Sequence, residues 1–267
     1  MRVNIIPVNF LHIMTLGVLL ILNACATSVG GSGYNPTTVT NNVNQELLDG
    51  ANVKRVVIAH VNLGSPSRRY LQKQEAHVDE MLAEKLERAG YEIVPSREFS
   101  QRWTNAVSLF GDPVDPTTGR VNARTFTRIV QTVRDQLVDK GGVDAFVFTD
   151  LIEKDVYFTT GVSRIARWDG VARKPVTQGP GSGVSVEFNW GAPVKATSIR
   201  LVLFSTDLEI LFSGVGGISL NEAVDMRSGT DFVRRREILG NDNHIREGLA
   251  LAMHPLIEMN NWPGNPD

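Results

Sequence analysis

The residue types that carry out catalysis are few in this chain and far apart. A single cysteine, Cys25, closes an apolar run in "LLILNACATSVGGSG", Leu19 to Gly33. Beyond it stand His60, His77, His244 and His254, none of them in H-E-x-x-H or another zinc spacing. His60 lies inside an apolar strand-like stretch and reads as structural. His77 borders the apolar face of a helical pattern, and His244 and His254 fall in the last one. Asp112 and Asp115 could offer oxygens to calcium, but the D-x-D-x-D-G run with a distal Glu is missing. The prolines that follow both acids favour a turn. "QGPGSGV", Gln178 to Val184, is glycine-rich without a following Lys-Ser/Thr and does not open a helix, so it reads as a mobile hairpin tip, not a phosphate cradle. No catalytic residue, metal site or cofactor is expected, and the chain does not read as an enzyme.

The cysteine has a different chemistry. The residues before it have the layout of an export signal: Arg2 in a short n-region, then an apolar stretch from Phe10 to Leu22. That stretch is short of the roughly 20 apolar residues that span a bilayer. Leu22-Asn23-Ala24-Cys25 resembles the lipobox of bacterial lipoproteins. The resemblance implies cleavage before Cys25, acylation of its thiol and new amino terminus, and, with Ala26 and not Asp next, sorting to the outer membrane facing the periplasm. Residues 1–24 are then a signal peptide and Cys25 a palmitate-type lipid anchor to the membrane. Two other readings compete: ordinary secretory cleavage at the A-x-A pattern of Ala24-Cys25-Ala26, and an uncleaved anchor.

The rest of the composition suits an exported globular protein. Hydrophobic residues make up 42% and charged residues 21%, with a net charge of -2, so a core can form and no field points to nucleic acid. With Cys25 acylated, no thiol remains for a disulfide. From Ala26 to about Asn52 the chain is rich in Thr, Asn, Ser and Gly, and residues 25–52 read as a lipidated flexible tether.

From Val53 to Asp267 one α/β domain is expected. "VKRVVIAHVNL" reads as a strand ending at Gly64-Ser65-Pro66, with Ser65 capping a helix from about Ser67 to Ala89. "YEIVP" is a short strand, and Ser96 caps a helix to about Val107. "LFGDPVDPTTGRVN" is a loop. Phe126, Ile129, Val130, Val133 and Leu137 share one face of a second long helix ended by Gly141-Gly142. "VDAFVFTDL" is apolar at nearly every position, as a strand covered on both faces would be. Several β-rich stretches follow: "VYFTTGVSRIARWDGV", "GVSVEFNWG", and "ATSIRLVLFS" with "LEILFSGVGGISL", which read as a hairpin about Thr206-Asp207. The glycines of "SGVGGIS" mark a bulge or a close backbone approach. A final helix spans about Asn243 to Met259, kinked or weakened by Pro255. The expected fold is a mixed β-sheet flanked by helices: β-α-β-α-β, a β-rich hairpin region and a C-terminal helix.

This order, with Gly90-Tyr91-Glu92-Ile93-Val94 and Asp144-Ala145-Phe146-Val147, resembles a group of periplasmic lipoproteins sharing one α/β domain. It includes the curli secretion lipoprotein, the Pel exopolysaccharide lipoprotein, the penicillin-binding protein activator lipoprotein and the amino-terminal domain of the Tol-Pal propeller protein. The likeness covers about Val53 to Glu258. At the hairpin, Ser205-Thr206-Asp207-Leu208-Glu209 stands where the group carries a Gly turn. Members are mostly accessory or assembly proteins, some ring-forming, without catalytic machinery. The resemblance implies a non-catalytic subunit of envelope secretion or biogenesis, with envelope proteins or copies of itself as partners.

Two features offer interaction surfaces. Arg234-Arg235-Arg236 is a compact basic run suited to anionic head groups, cell-wall polymers or acidic partners, or simply a solvated helix face. Trp168 and Trp190 sit in β-rich stretches beside the glycine cluster, as core or as binding anchors. With that cluster they favour the alternative function, a glycan- or peptide-binding lipoprotein.

Overall fold

A computed structural model describes residues 41–59, 70–115, 117–181, 183–260 and 262, all within one compact unit. Cys25, the signal and lipobox readings, His60 and the Ser65-Pro66 cap lie outside the described residues.

Folded structure begins earlier than the composition suggests. Strand β1 (Asn42–Val43) pairs antiparallel with β9 (Ile210–Leu220), and helix α1 (Gln45–Ala51) follows, its cap Asn44 accepting from the Leu47 N–H at 3.2 Å. Residues 41–52 are therefore part of the domain and not of a tether. Polar as they are, they carry Val43, Leu47, Leu48 and Ala51, which pack on the core. The Asn41 amide donates to the Leu251 carbonyl at 3.2 Å and to the His254 carbonyl, and its oxygen accepts from the Val215 N–H at 3.3 Å.

The chain then runs through β2 (Arg55–Ala59), α2 (Gln72–Arg88), β3 (Glu92–Val94), α3 (Ser96–Phe110), α4 (Ala123–Gly141) and β4 (Ala145–Val156). The small strands β5 (Ala166–Trp168), β6 (Val171–Arg173) and β7 (Thr177–Gln178) precede the long β8 (Val194–Ser205) and β9. The strands β10 (Glu222–Asp225) and β11 (Phe232–Arg234) and helix α5 (Asp242–Met253) close the described order. The main sheet is ordered β1-β9-β8-β4-β2-β3, with β3, β2 and β4 parallel and the rest antiparallel.

Alternation decides which layer each strand residue joins. Val56, Ile58, Ala145, Val147, Ile199, Leu201 and Leu203 point to one face, where α2 and α5 bury Leu82, Leu86, Ile245 and Leu249 against them. Val57, Ala59 and Phe146 point to the other, under α3 and α4, which contribute Phe99, Ile129, Val133 and Leu137. Two crossovers that move in opposite directions along a parallel sheet put their helices on opposite faces. α4 has the expected apolar stripe. Its cap Asn122 accepts from the Thr125 N–H at 3.2 Å, and Gly142, with φ 58°, ends it in the left-handed conformation.

Several boundaries differ from the sequence reading. α3 begins with Ser96 already helical and Pro95 in the cap position, so the Ser96 hydroxyl caps nothing. α5 starts at Asp242 behind the cap Asn241 and stops at Met253, earlier than Met259. Pro255 lacks a donor and holds His254 in an extended conformation, φ -73° and ψ 138°. "GVSVEFNWG" forms turns and no strand, because Phe188 and Trp190 both join one aromatic cluster instead of alternating between faces. The glycine cluster is not a hairpin tip. Gln178 pairs in parallel with Asp225, and a Cβ on Gly181 would lie 1.8 Å from the Met226 carbonyl oxygen. The β8–β9 hairpin forms as expected: the Leu208 N–H donates to the Ser205 carbonyl at 3.0 Å, and Leu208 takes φ 63° where such a turn usually has glycine.

"SGVGGIS" meets both expectations placed on it. The register of β8 on β9 slips between Thr197 and Ser198, which marks a bulge. Gly214 and Gly216 lie directly beneath the α5 backbone, where an added Cβ would come within 2.0 Å of the carbonyl oxygens of Ala252 and Gly248.

Candidate functional site

The residues singled out from the sequence are dispersed. Trp168 is 0% exposed, packed against Gly217 with its indole N–H unpaired among the described residues, so it is core and presents no surface. Its neighbour Asp169, at φ 41°, turns β5 into β6. The Asp169 carboxylate accepts from the Ser198 hydroxyl at 2.6 Å and pairs with Lys154 at 2.7 Å, fixing that hairpin to the main sheet. Trp190 is half-buried among Phe158, Phe188 and Phe232, and the Arg164 guanidinium stacks 4.2 Å above its ring.

The basic run is not on a helix. Arg234 ends β11 and stacks 3.9 Å over the Tyr70 ring. Arg235 donates to the Leu220 carbonyl at 3.0 Å, and only its neighbours stand in solvent. The Gln178 side chain bridges the run, donating to the Arg234 carbonyl at 3.1 Å and accepting from the Arg236 N–H at 2.8 Å. Run and glycine cluster are thus brought together, with Trp190 linked to them through Phe232 of β11.

Several other titratable groups sit in contacts that hold the fold together. His77 on α2 contacts Asp242 at the start of α5 at 2.9 Å, and that contact, with help from Arg246, holds the Asp242 carboxyl below its usual range. His244 is pushed down by burial, helped by Arg173 and Arg235 and opposed by Glu247. His254 accepts from the Met259 N–H at 3.3 Å and stacks on Trp262 at 4.2 Å. Asp112 accepts from the Val114 N–H, and Asp115 from those of Thr117 and Thr118, all at 2.8 Å, so both acids build turns as expected. Among the described residues, no three His, Cys, Asp or Glu groups are placed to hold a metal ion. Nor is any described helix long and apolar enough to cross a membrane.

Two concavities are formed by the main sheet. A crevice of about 430 Å³ opens at the carboxyl ends of β2 and β3, between Asp79 on α2 and Ser96 and Ser100 on α3. Two of its polar groups are engaged, Asp79 accepting from the Thr149 hydroxyl at 3.0 Å and Ser100 donating to the Ser96 carbonyl at 3.1 Å, and Glu80 also lines it. A groove of about 300 Å³ is almost wholly apolar, lined by Phe126, Thr127, Val130, Phe148, Phe204 and Leu208.

The groove belongs to a larger surface that the sequence reading missed. α3 and α4 cover the far face of the sheet over β3, β2 and the start of β4, and Phe148 and Phe204 pack against the edge of that cluster. Over most of β8 and β9 no helix among the described residues covers that face. Register places Phe148 opposite Val202 and Val202 opposite Ser213, Phe204 opposite Ile210, and Arg200 opposite Val215. Phe148, Val202, Phe204 and Val215 are half-buried, and Ile210 is 48% exposed. The Arg200–Asp150 pair, 2.7 Å apart, borders these rows. Phe148, Val202, Phe204, Ile210 and Val215 together form a continuous apolar strip on this face, running from the groove to Ile210 and Val215. The signal for it is visible in hindsight: β4 and β8 are apolar on both faces, yet no helical segment remains in the described chain to cover the second.

No protein-family model matches the chain, and no characterised protein or solved structure does so.

Proposed function

We propose that this protein is a lipid-anchored envelope lipoprotein, held at Cys25 in the outer membrane facing the periplasm, whose α/β domain is a non-catalytic accessory subunit docking protein partners. The observation that carries the docking half of this reading is the face of β8 and β9 beside the Phe126–Val130 groove, where Val202, Ile210 and Val215 extend the apolar lining of Phe148 and Phe204 beyond the helices described. The anchor half rests on the lipobox-like Leu22-Asn23-Ala24-Cys25, and the pathway class on the likeness to envelope accessory lipoproteins.

One experiment separates the two halves. A photocrosslinking amino acid at Phe204, with a control at the exposed Glu84 on α2, is combined with alkyne fatty-acid labelling of the chain and of Cys25→Ser. The reading expects label lost in Cys25→Ser and the same identified protein crosslinked from Phe204 but not from Glu84. Label independent of Cys25 refutes the anchor. No crosslink specific to Phe204 refutes docking on this face.

A second reading, glycan or peptide binding, has the Trp190 indole under Arg164 in its favour. Titrating tryptophan fluorescence with cell-wall fragments tests it: a saturable change abolished in Trp190→Ala supports it, and none refutes it.

A further inference from the structure

Val162 and Val186 are the two most exposed large apolar side chains among the described residues, and both belong to turns that adjoin the same ring. The loop around Val162 is closed on itself: the Thr159 N–H donates to the Ile165 carbonyl at 3.0 Å, the Thr159 hydroxyl to the Ser163 carbonyl at 2.9 Å, and the Ile165 N–H to the Thr159 hydroxyl at 3.1 Å. Val186 sits in a turn where the Phe188 N–H donates to the Ser185 carbonyl at 3.1 Å, and the Ser185 N–H is itself held by the Gly229 carbonyl at 2.9 Å. Two residues after Val162 the Arg164 guanidinium stacks on Trp190, and two residues after Val186 the Phe188 ring centre lies 4.5 Å from that of Trp190. Tyr157, 42% exposed, precedes Phe158, a third neighbour of Trp190. Turns ordinarily carry Gly, Asn, Asp or Ser at such positions. A β-branched apolar residue held wholly in water there serves neither the turn nor the core.

The amino-terminal segment enters the fold through contacts that lead to the same cluster. The Asn41 amide donates to the His254 carbonyl, the His254 ring stacks on Trp262 at 4.2 Å, and Trp262, like Trp190, packs against the cluster that holds Val156 and Phe158. Residues 25–41 span at most about 55 Å when fully extended, so an anchor at Cys25 keeps this part of the domain near the bilayer. We infer that the Val162 and Val186 turns dock on the phospholipid surface that carries the chain's own anchor. The two valines enter the acyl boundary, and Tyr157 and Trp190 lie at headgroup level, as amphipathic rings do. Arg164, with no ion-pair partner among the described residues, reaches a lipid phosphate with its guanidinium. Residues 159–165 and 183–191 hold one basic and one acidic side chain, Arg164 and Glu187, so the attachment is chiefly apolar and salt should not release it. The inference rests on the anchor half of the reading above and is independent of what docks on β8 and β9.

Acylation consumes Cys25, the only cysteine of the chain, so an introduced thiol can be labelled alone. An environment-sensitive fluorophore is attached to Val162→Cys, to Val186→Cys and, as control, to Leu109→Cys, exposed near the end of α3. Each full lipidated chain is reconstituted on vesicles of phosphatidylethanolamine and phosphatidylglycerol, and circular dichroism checks that it is folded. The expected result is a blue shift at the Val162→Cys and Val186→Cys probes, with loss of their emission to nitroxide-labelled lipid, and neither effect at Leu109→Cys. High salt should leave the shift in place, and adding Val162→Asp should return the Val186→Cys probe toward its emission in water. Probes that stay in water on a chain that floats with the vesicles overturn the inference and leave the anchor standing. A chain that does not float removes anchor and inference together. A shift of equal size at all three positions, or one produced by soluble cell-wall fragments and not by lipid, also overturns it.

Discussion

Gly216 on β9 and Gly248 on α5 put strand and helix backbones in direct contact: a Cβ on Gly216 would lie 2.0 Å from the Gly248 carbonyl oxygen. The reverse approach is also closed, since a Cβ on Gly248 would meet the Gly217 carbonyl at 2.8 Å and the Ile218 side chain at 2.7 Å. Neither backbone can retreat, because β9 is paired on the β8 side and α5 is buried on the core. Gly216→Ala is therefore expected to lower unfolding free energy by about 3 kcal/mol or more, the upper range for overpacking. Gly50, inside α1 with nothing within 4 Å of a Cβ, is the control. Gly50→Ala should raise stability by about 0.5 to 1 kcal/mol. Urea titrations of both variants check the contrast, and equal effects would contradict the packing account.

Leu208 holds φ 63° in the β8–β9 turn, a conformation that costs an L residue roughly 1–2 kcal/mol and glycine almost nothing. It also lines the apolar groove, so simple removal confuses strain with packing. Comparing two truncations removes that ambiguity. Leu208→Gly should be more stable than Leu208→Ala by about 1 kcal/mol. Chemical denaturation that ranks alanine at or above glycine would show that the turn bears no such strain.

Asp169 joins two sheets through Lys154 and Ser198. Asparagine tolerates the left-handed conformation found there, so Asp169→Asn removes the charge while keeping the turn. The loss should be about 1–2 kcal/mol, the scale of hydrogen bonds to a partly buried charge. Because the hairpin holds Trp168 against Gly217, the same variant should raise acrylamide quenching of tryptophan emission. Unchanged quenching would mean that the hairpin is held by packing alone.

Acid should destabilise the fold around α5. Folding lowers the values of both His244 and Asp242, so in each case the unfolded chain takes up its proton first as pH falls. Their contributions are complete above the unfolded values and are lost as pH drops toward the folded ones. For His244 the loss begins near pH 6.5, and for Asp242 near its ordinary carboxylate value. Thermal midpoints should fall between pH 7.5 and 5.5 in the native chain, and fall less in His244→Gln. An equal fall in both would assign the acid sensitivity elsewhere.

What the sequence revealed depended on whether a feature was local. The stripe of α4 and the glycine approach of β9 follow from period and residue size over a few positions, and both stand as read. The β-α-β-α-β order could be read because Gly90, the Pro-rich loop and Gly142 punctuate it. β1 and α1 could not, because two paired residues and a seven-residue helix leave no periodic signal within a polar stretch. Trp168 and Trp190 looked alike in sequence, yet Gly217 makes room for one in the core while Arg164 roofs the other at the surface. The uncovered face needed the most distant information. Val202 and Phe204 look like core residues until the order of β4, β8 and β9 shows that the helices on that side end over β4.

The Asn41 side chain has a mechanical consequence. It holds carbonyls at the end of α5 and the Val215 N–H of β9 at once, just before the antiparallel pairs Asn42 with Ser213 and Val43 with Phe212. Tension on the chain ahead of Asn41 is therefore shared between β9 and the closing helix before it reaches α1. Because β9 also carries Ile210, Ser213 and Val215 of the unroofed face, traction on the amino terminus and occupancy of that face act on the same strand.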